Sequence, residues 1–162
     1  MEPGRKIKLR ILTGHEVPAE QRGHAALTTL IRIFGRMTER GSEMAKRHGL
    51  SMSHLDVLLT LGHGEGVNQQ ELAERLLLTK GNICVIVQKM EAAGLIERRS
   101  DPEDQRCHRL YLSPAGKEKL GAILPEHREM RLRMLRGLTQ TEQSTLFDLL
   151  TRVDEALNED ED

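Results

Sequence analysis

Residues 79–113, TKGNICVIVQKMEAAGLIERRSDPEDQRCHRLYLS, place an amphipathic helix, a glycine stop and a charged β-hairpin in direct succession. Just before them, NQQELAERLLL reads as a short helix that ends ahead of Thr79. Two short helices followed by a hairpin make the winged form of the helix-turn-helix. In that arrangement the second helix can lie in a DNA major groove while the hairpin reaches the neighbouring backbone or minor groove.

The helix limits follow from local chemistry. Thr79 can cap the second helix, because its hydroxyl can accept from an orphan N–H of the first turn. Leu78 and Ile83 occupy the two positions of a hydrophobic staple. Ile83, Ile86, Val87, Met90 and Ala93 recur at helical spacing and predict one buried stripe. Gly94 supplies the left-handed stop. The opposite face carries Lys80, Gly81, Asn82, Cys84, Val85, Gln88 and Lys89, and lysines and amides there suit phosphates and base edges. In the preceding helix, Asn68 and Glu71 form a capping box, with Val67 and Leu72 as a second staple. Gln69 and Gln70 then fall in a first turn, whose N–H groups favour a phosphate.

Leu95–Arg99 and His108–Leu112 are the β-prone runs of the hairpin, joined by the turn-rich SDPEDQRC. Arg99 and Arg106 flank that loop, and Arg106 is carried near the tip, where an arginine can enter a narrow minor groove. Asp101 and Asp104 would repel DNA if left bare, so they are expected to form turns or to hold an arginine in position.

Residues 68–120 resemble the MarR-type winged helix-turn-helix regulators: TKGN before an apolar helix, then GLIER, DPEDQR and a closing LSPAG. The likeness extends over most of residues 20–158. It implies that Thr79, Lys80, Asn82, Cys84, Val85, Gln88 and Lys89 lie on the recognition helix and that Arg106 is the wing arginine. Cys84 and Val85 depart from the pattern, since similar sequences often carry Thr or Ser at the first and Gly or Arg at the second. The resemblance also implies a homodimer on a double-stranded, pseudo-palindromic operator, acting most often as a repressor. A small anionic or aromatic effector is expected between the dimerisation helices and the DNA-binding lobe.

The resulting fold class is mainly α with a small β-hairpin wing (α+β). A basic arm, 1–19, precedes a single domain at 20–158. Within it 50–112 form the winged lobe, and 20–48 and 113–158 supply dimerisation helices; an acidic tail, 159–162, follows. Leu27, Leu30, Ile31, Phe34 and Met37 stripe the first long helix, which Gly49 ends. Ser51 caps a helix to about Leu61, GHGEG (62–66) reads as a flexible connector, and Ser113-Pro114 opens another helix that Pro125 is expected to kink. Thr139 and Glu142 box the start of the last helix. With 2% aromatic residues and no Trp, the core must be aliphatic.

The net charge of −1 over 162 residues predicts weak non-specific affinity for nucleic acid. No apolar run is long enough for a membrane span or a secretion signal, and two cysteines without a repeating pattern fit a reducing cytoplasm. Seven histidines show no zinc spacing, so no metal or other cofactor is expected. No phosphate loop, nucleophile elbow or triad pattern suggests an enzyme. Two other readings are a winged-helix protein-interaction module without DNA binding, which Val85 and the near-neutral charge favour, and a thiol switch at Cys84 or Cys107.

Overall fold

The computed structural model describes residues 17–101 and 107–159. A single 3-10 turn, Ala19–Gln21, leads into α1 (Arg22–Arg47). The order continues α2 (Met52–His63), α3 (Gln69–Arg75), α4 (Lys80–Ala92), β1 (Ile96–Ser100), β2 (His108–Leu112), α5 (Pro114–Leu135) and α6 (Gln140–Glu159). The fold is thus mainly helical with one antiparallel hairpin. The chain divides into two units, Met1–Glu43 and Met44–Asp162, at a boundary inside α1.

Helix ends are set by one repeated device. After α1, the Gly49 amide bonds to Lys46 O and the Leu50 amide to Ala45 O; after α4, Gly94 bonds to Glu91 O and Leu95 to Met90 O. Both are Schellman turns, and both glycines adopt the left-handed φ such a turn requires, +71° and +68°. The turn after α3 has the same two bonds, Leu77 to Glu74 O and Leu78 to Ala73 O. Its left-handed residue, however, is Leu77, at φ +51° and 94% exposed. That stop was not legible, because leucine gives no turn signal.

The second unit closes on an aliphatic core. Leu55, Leu58 and Leu61 of α2, Leu72 of α3, Ile83, Val87 and Met90 of α4, Leu110 of β2 and Ile123 of α5 are all essentially inaccessible to solvent. Met44 and Ala45, from the last turn of α1, join them. Removing such a side chain to alanine typically costs about 2–5 kcal/mol. Ala93, expected in the same stripe, is exposed, since it lies past the last helical turn as the C-cap.

One expectation is corrected by the structure. The 62–66 connector is not a flexible link: Gly62 and His63 continue α2. The remainder is stitched to the hairpin, with Gly66 N donating to Leu110 O (2.9 Å) and Leu110 N to Val67 O (2.8 Å). In addition, Glu65 Oε1 accepts from Leu112 N at 2.9 Å and Glu65 Oε2 lies 3.2 Å from Lys117 Nζ. Pro125, expected to kink the helix that Ser113-Pro114 opens, lies inside α5, which runs on to Leu135.

The start of α5 is fixed by close approach. Ser113 Oγ accepts from Gly116 N (3.0 Å) and donates to Gly94 O (2.5 Å), so one hydroxyl caps α5 and ties it to the end of α4. A Cβ on Gly116 would overlap the Leu95 carbonyl, so only glycine admits this contact. At the other end of the lobe, Glu126 of α5 pairs with Arg47 and His48, while Lys119 Nζ donates to His48 O at 3.2 Å. The Arg47 guanidinium holds the Glu126 carboxyl below its ordinary value.

Candidate nucleic-acid interface

The face of α4 opposite the core stripe is built by its cap and its spacing. Thr79 Oγ1 accepts from Asn82 N at 3.3 Å and starts the helix. Burying Ile83, Val87 and Met90 turns Lys80, Gly81, Asn82, Val85, Gln88 and Lys89 outward, all exposed, with Cys84 partly covered. Gln88 Nε2 reaches Cys84 Sγ at 3.7 Å along the helix. Lys89 stands close enough to His54 that, after burial, its charge is the second cause holding that imidazole below its ordinary value. In α3, Asn68 Oδ1 accepts from the Gln70 and Glu71 amides at 2.9 Å, and Glu71 Oε2 accepts from Asn68 N at 3.1 Å. Gln69 therefore opens a firmly capped but short helix.

The hairpin pairs Ile96 with Leu112, Arg98 with Leu110, Arg99 with Arg109 and Ser100 with His108. Like charges directly opposite destabilise a ladder, and the Arg99–Arg109 pair is relieved on both sides. Arg99 sits over the Tyr111 ring, 4.3 Å from its centroid, and 3.2 Å from Glu97 Oε2. Arg109 Nε lies 2.7 Å from Asp101 Oδ2, and its Nη1 donates to Gly66 O at 2.8 Å. Asp101 is buried, and its amide closes the base of the wing on Cys107 O at 2.9 Å. Arg98 Nε is 2.9 Å from Glu91 Oε2 of α4, an ion pair that is not aligned as a hydrogen bond.

Of the expected site residues, Lys80, Asn82, Cys84, Val85, Gln88 and Lys89 share α4, with Thr79 as its cap, whereas Gln69 lies on α3 and Arg99 on β1. Arg106 and Asp104 lie outside the described residues. Sequence reasoning missed Arg109, Glu65, Gly66 and Gly116, which hold the wing and α5 in place. The only hint was a charged residue and a glycine in segments that read as strand and linker.

Cys84 and Cys107 are not joined by a disulfide. Among the described residues no cluster of three or more metal-ligating side chains occurs, and no helix is long and apolar enough to cross a membrane. An open cleft of about 450 Å³ lies where α2 meets α5, lined by Leu61, His63, Leu112, Lys117, Leu120 and Leu124.

Residues 48–106 match the model of the MarR family. The chain is 32% identical over 127 residues to an uncharacterised HTH-type transcriptional regulator, YkoM, of Bacillus subtilis, covering 76% of this chain and 82% of that one. Among solved structures, it is similar to a MarR-family transcriptional regulator from Silicibacter pomeroyi, at 26% identity and a TM-score of 0.73. That match covers 85% of this chain and 93% of the other. A MepR mutant from S. aureus, bound to an oligodeoxyribonucleotide, shares the fold at a TM-score of 0.54 and 19% identity, over 81% of this chain and 97% of that one. A winged helix-turn-helix with these relatives defines a class of transcriptional regulators rather than of enzymes. The chain belongs to the MarR family.

Proposed function

We propose that the chain binds double-stranded DNA as a homodimer, recognises a pseudo-palindromic operator and represses the genes beside it. One observation carries this reading: α4 buries Ile83, Val87 and Met90 and turns a cationic, amide-bearing face outward beside a braced hairpin. Lys80 and Lys89 are then phosphate contacts, Asn82, Cys84, Val85 and Gln88 face base edges, and Thr79 fixes the helix that carries them. Gln69 and Arg99 take backbone positions, and Arg106 enters the minor groove.

The apolar faces favour the dimer. Leu27, Ile31 and Phe34 of α1 are more than half exposed, and so are Phe147, Leu149 and Leu157 of α6. An isologous contact between two copies covers faces of this kind. The cleft of α2 and α5 is the seat proposed for a small effector. Its leucines and Lys117 suit an apolar anion more than a stacking aromatic.

The reading is tested by passing a random-sequence duplex library over the pure protein and measuring affinity for the retained duplexes at several salt concentrations. Tight, salt-dependent, sequence-selective binding is expected. Retention of no duplex at low salt would point instead to a protein-interaction module.

A further inference from the structure

The outward face of α4 has an apolar centre that the fold does not need. Positions 81, 85 and 88 follow one another at helical spacing, with 82 and 89 alongside, and form a single stripe. Val85 is in the middle of it, 49% exposed. The buried stripe of Ile83, Val87 and Met90 is complete without it. A β-branched residue on an exposed helix face is a poor choice for helix formation, so neither packing nor propensity explains the valine.

Its neighbours shape what can meet it. One turn earlier stands Gly81, and nothing lies within 4 Å of where a Cβ on it would sit, so the first turn is slim. One turn later the Gln88 amide leans back along the helix toward Cys84 Sγ at 3.7 Å. Lys89 lies beside the stripe, and Lys80 is exposed at the first position of the helix. A helix laid in a groove with this face inward and Lys89 on the backbone beside it would set the Val85 methyls toward the groove floor.

Apart from the thymine C5-methyl, a major-groove floor presents donors and acceptors at each base pair. A base edge pressed against valine without a partner loses its water and gains no hydrogen bond. The thymine methyl instead gains apolar burial there. We infer that Val85 is a specificity-determining residue and that each operator half-site presents a thymine methyl to it.

This inference rests on the DNA-binding reading, and its test separates the two. Duplexes retained from the random library by the full-length protein are remade with each thymine replaced singly by deoxyuridine, which deletes only the methyl. Affinities are measured for the wild type, Val85→Ala and Val85→Thr. In the wild type, one thymine per half-site should lose about fourfold in affinity when its methyl is removed, the effect of one buried methyl-sized group. Changing both half-sites should lose about tenfold or more. Val85→Ala should bind the thymine and deoxyuridine duplexes alike at that position, and Val85→Thr, which keeps a γ-methyl, should retain part of the discrimination. A flat response at every thymine in the wild type, or one that persists unchanged in Val85→Ala, would overturn the inference while leaving DNA binding intact. Failure to retain any duplex would overturn both.

Discussion

Leu77 is where the local rules of this chain are broken. It occupies the left-handed position of the turn after α3, a place that glycine fills after α1 and α4, and almost none of its surface is covered. A left-handed conformation costs a non-glycine residue about 1–2 kcal/mol, and an exposed side chain recovers little of that by burial. Part of that gain is offset by the extra freedom glycine has in the unfolded chain. Leu77→Gly should therefore stabilise the protein by about 0.5–1 kcal/mol. Urea denaturation would read this as a higher midpoint at unchanged slope, and a lower midpoint would show that the leucine is held by something other than the turn. A second single-residue prediction falls on Arg106. If it enters the minor groove, Arg106→Ala should weaken operator binding by about 1–3 kcal/mol and flatten its salt dependence. A folded variant with unchanged affinity and salt slope would remove the wing arginine from the interface.

Among the elements, the helices were legible and the ties between them were not. Caps and staples work within a few residues, so Thr79, Asn68 with Glu71, Ser113 and Thr139 with Glu142 could be read directly, as could the exposed face of α4. The β-prone runs around the turn-rich segment placed β1 within one residue of its observed limits. By contrast, the contacts of Arg109 with Gly66 and of Glu65 with Leu112 join residues more than forty positions apart, and no periodicity encodes such a pairing. Asp101 could be expected to hold an arginine; that the arginine would be Arg109 depended on the hairpin register. Arg109→Met should loosen the wing base by removing the ion pair to Asp101 and the hydrogen bond to Gly66 O, costing about 1–3 kcal/mol. Hydrogen exchange should quicken at the Gly66 and Leu110 amides. Unchanged protection at those amides would mean that the backbone bridge holds the connector without the arginine.

For the whole molecule, the histidines set a direction with pH. Burial is the largest cause holding His54 and His127 below the ordinary 6.5, followed by Lys89 for the first, and by Arg131 and His63 for the second. In both cases the unfolded chain takes up the proton first. Their contribution to stability is therefore level above neutrality, falls as pH drops through about 6.5, and levels again once the folded imidazoles also protonate. Unfolding at a fixed protein concentration, compared at pH 7.5 and 5.5, should show this fall and show it reduced in His54→Gln/His127→Gln. An equal fall in the variant would assign it to other groups. Assembly is the second prediction at this scale: light scattering at micromolar concentration should report twice the chain mass. A clean monomer would remove the argument for a palindromic operator.

The seam at the start of α5 has a mechanical consequence. Ser113 and Gly116 clamp the first turn of this helix to the end of α4, and the helix then continues without a break to Leu135. Twenty-two residues at 1.5 Å each make a helix about 33 Å long, with Pro125 near its middle. A tilt of about 5° at the clamped end would swing the far end by about 3 Å. Lys117, Leu120 and Leu124 of the cleft all sit on the half of the helix nearest the clamp. A small molecule wedged there would press close to the fulcrum of a lever, where a slight push gives the widest sweep.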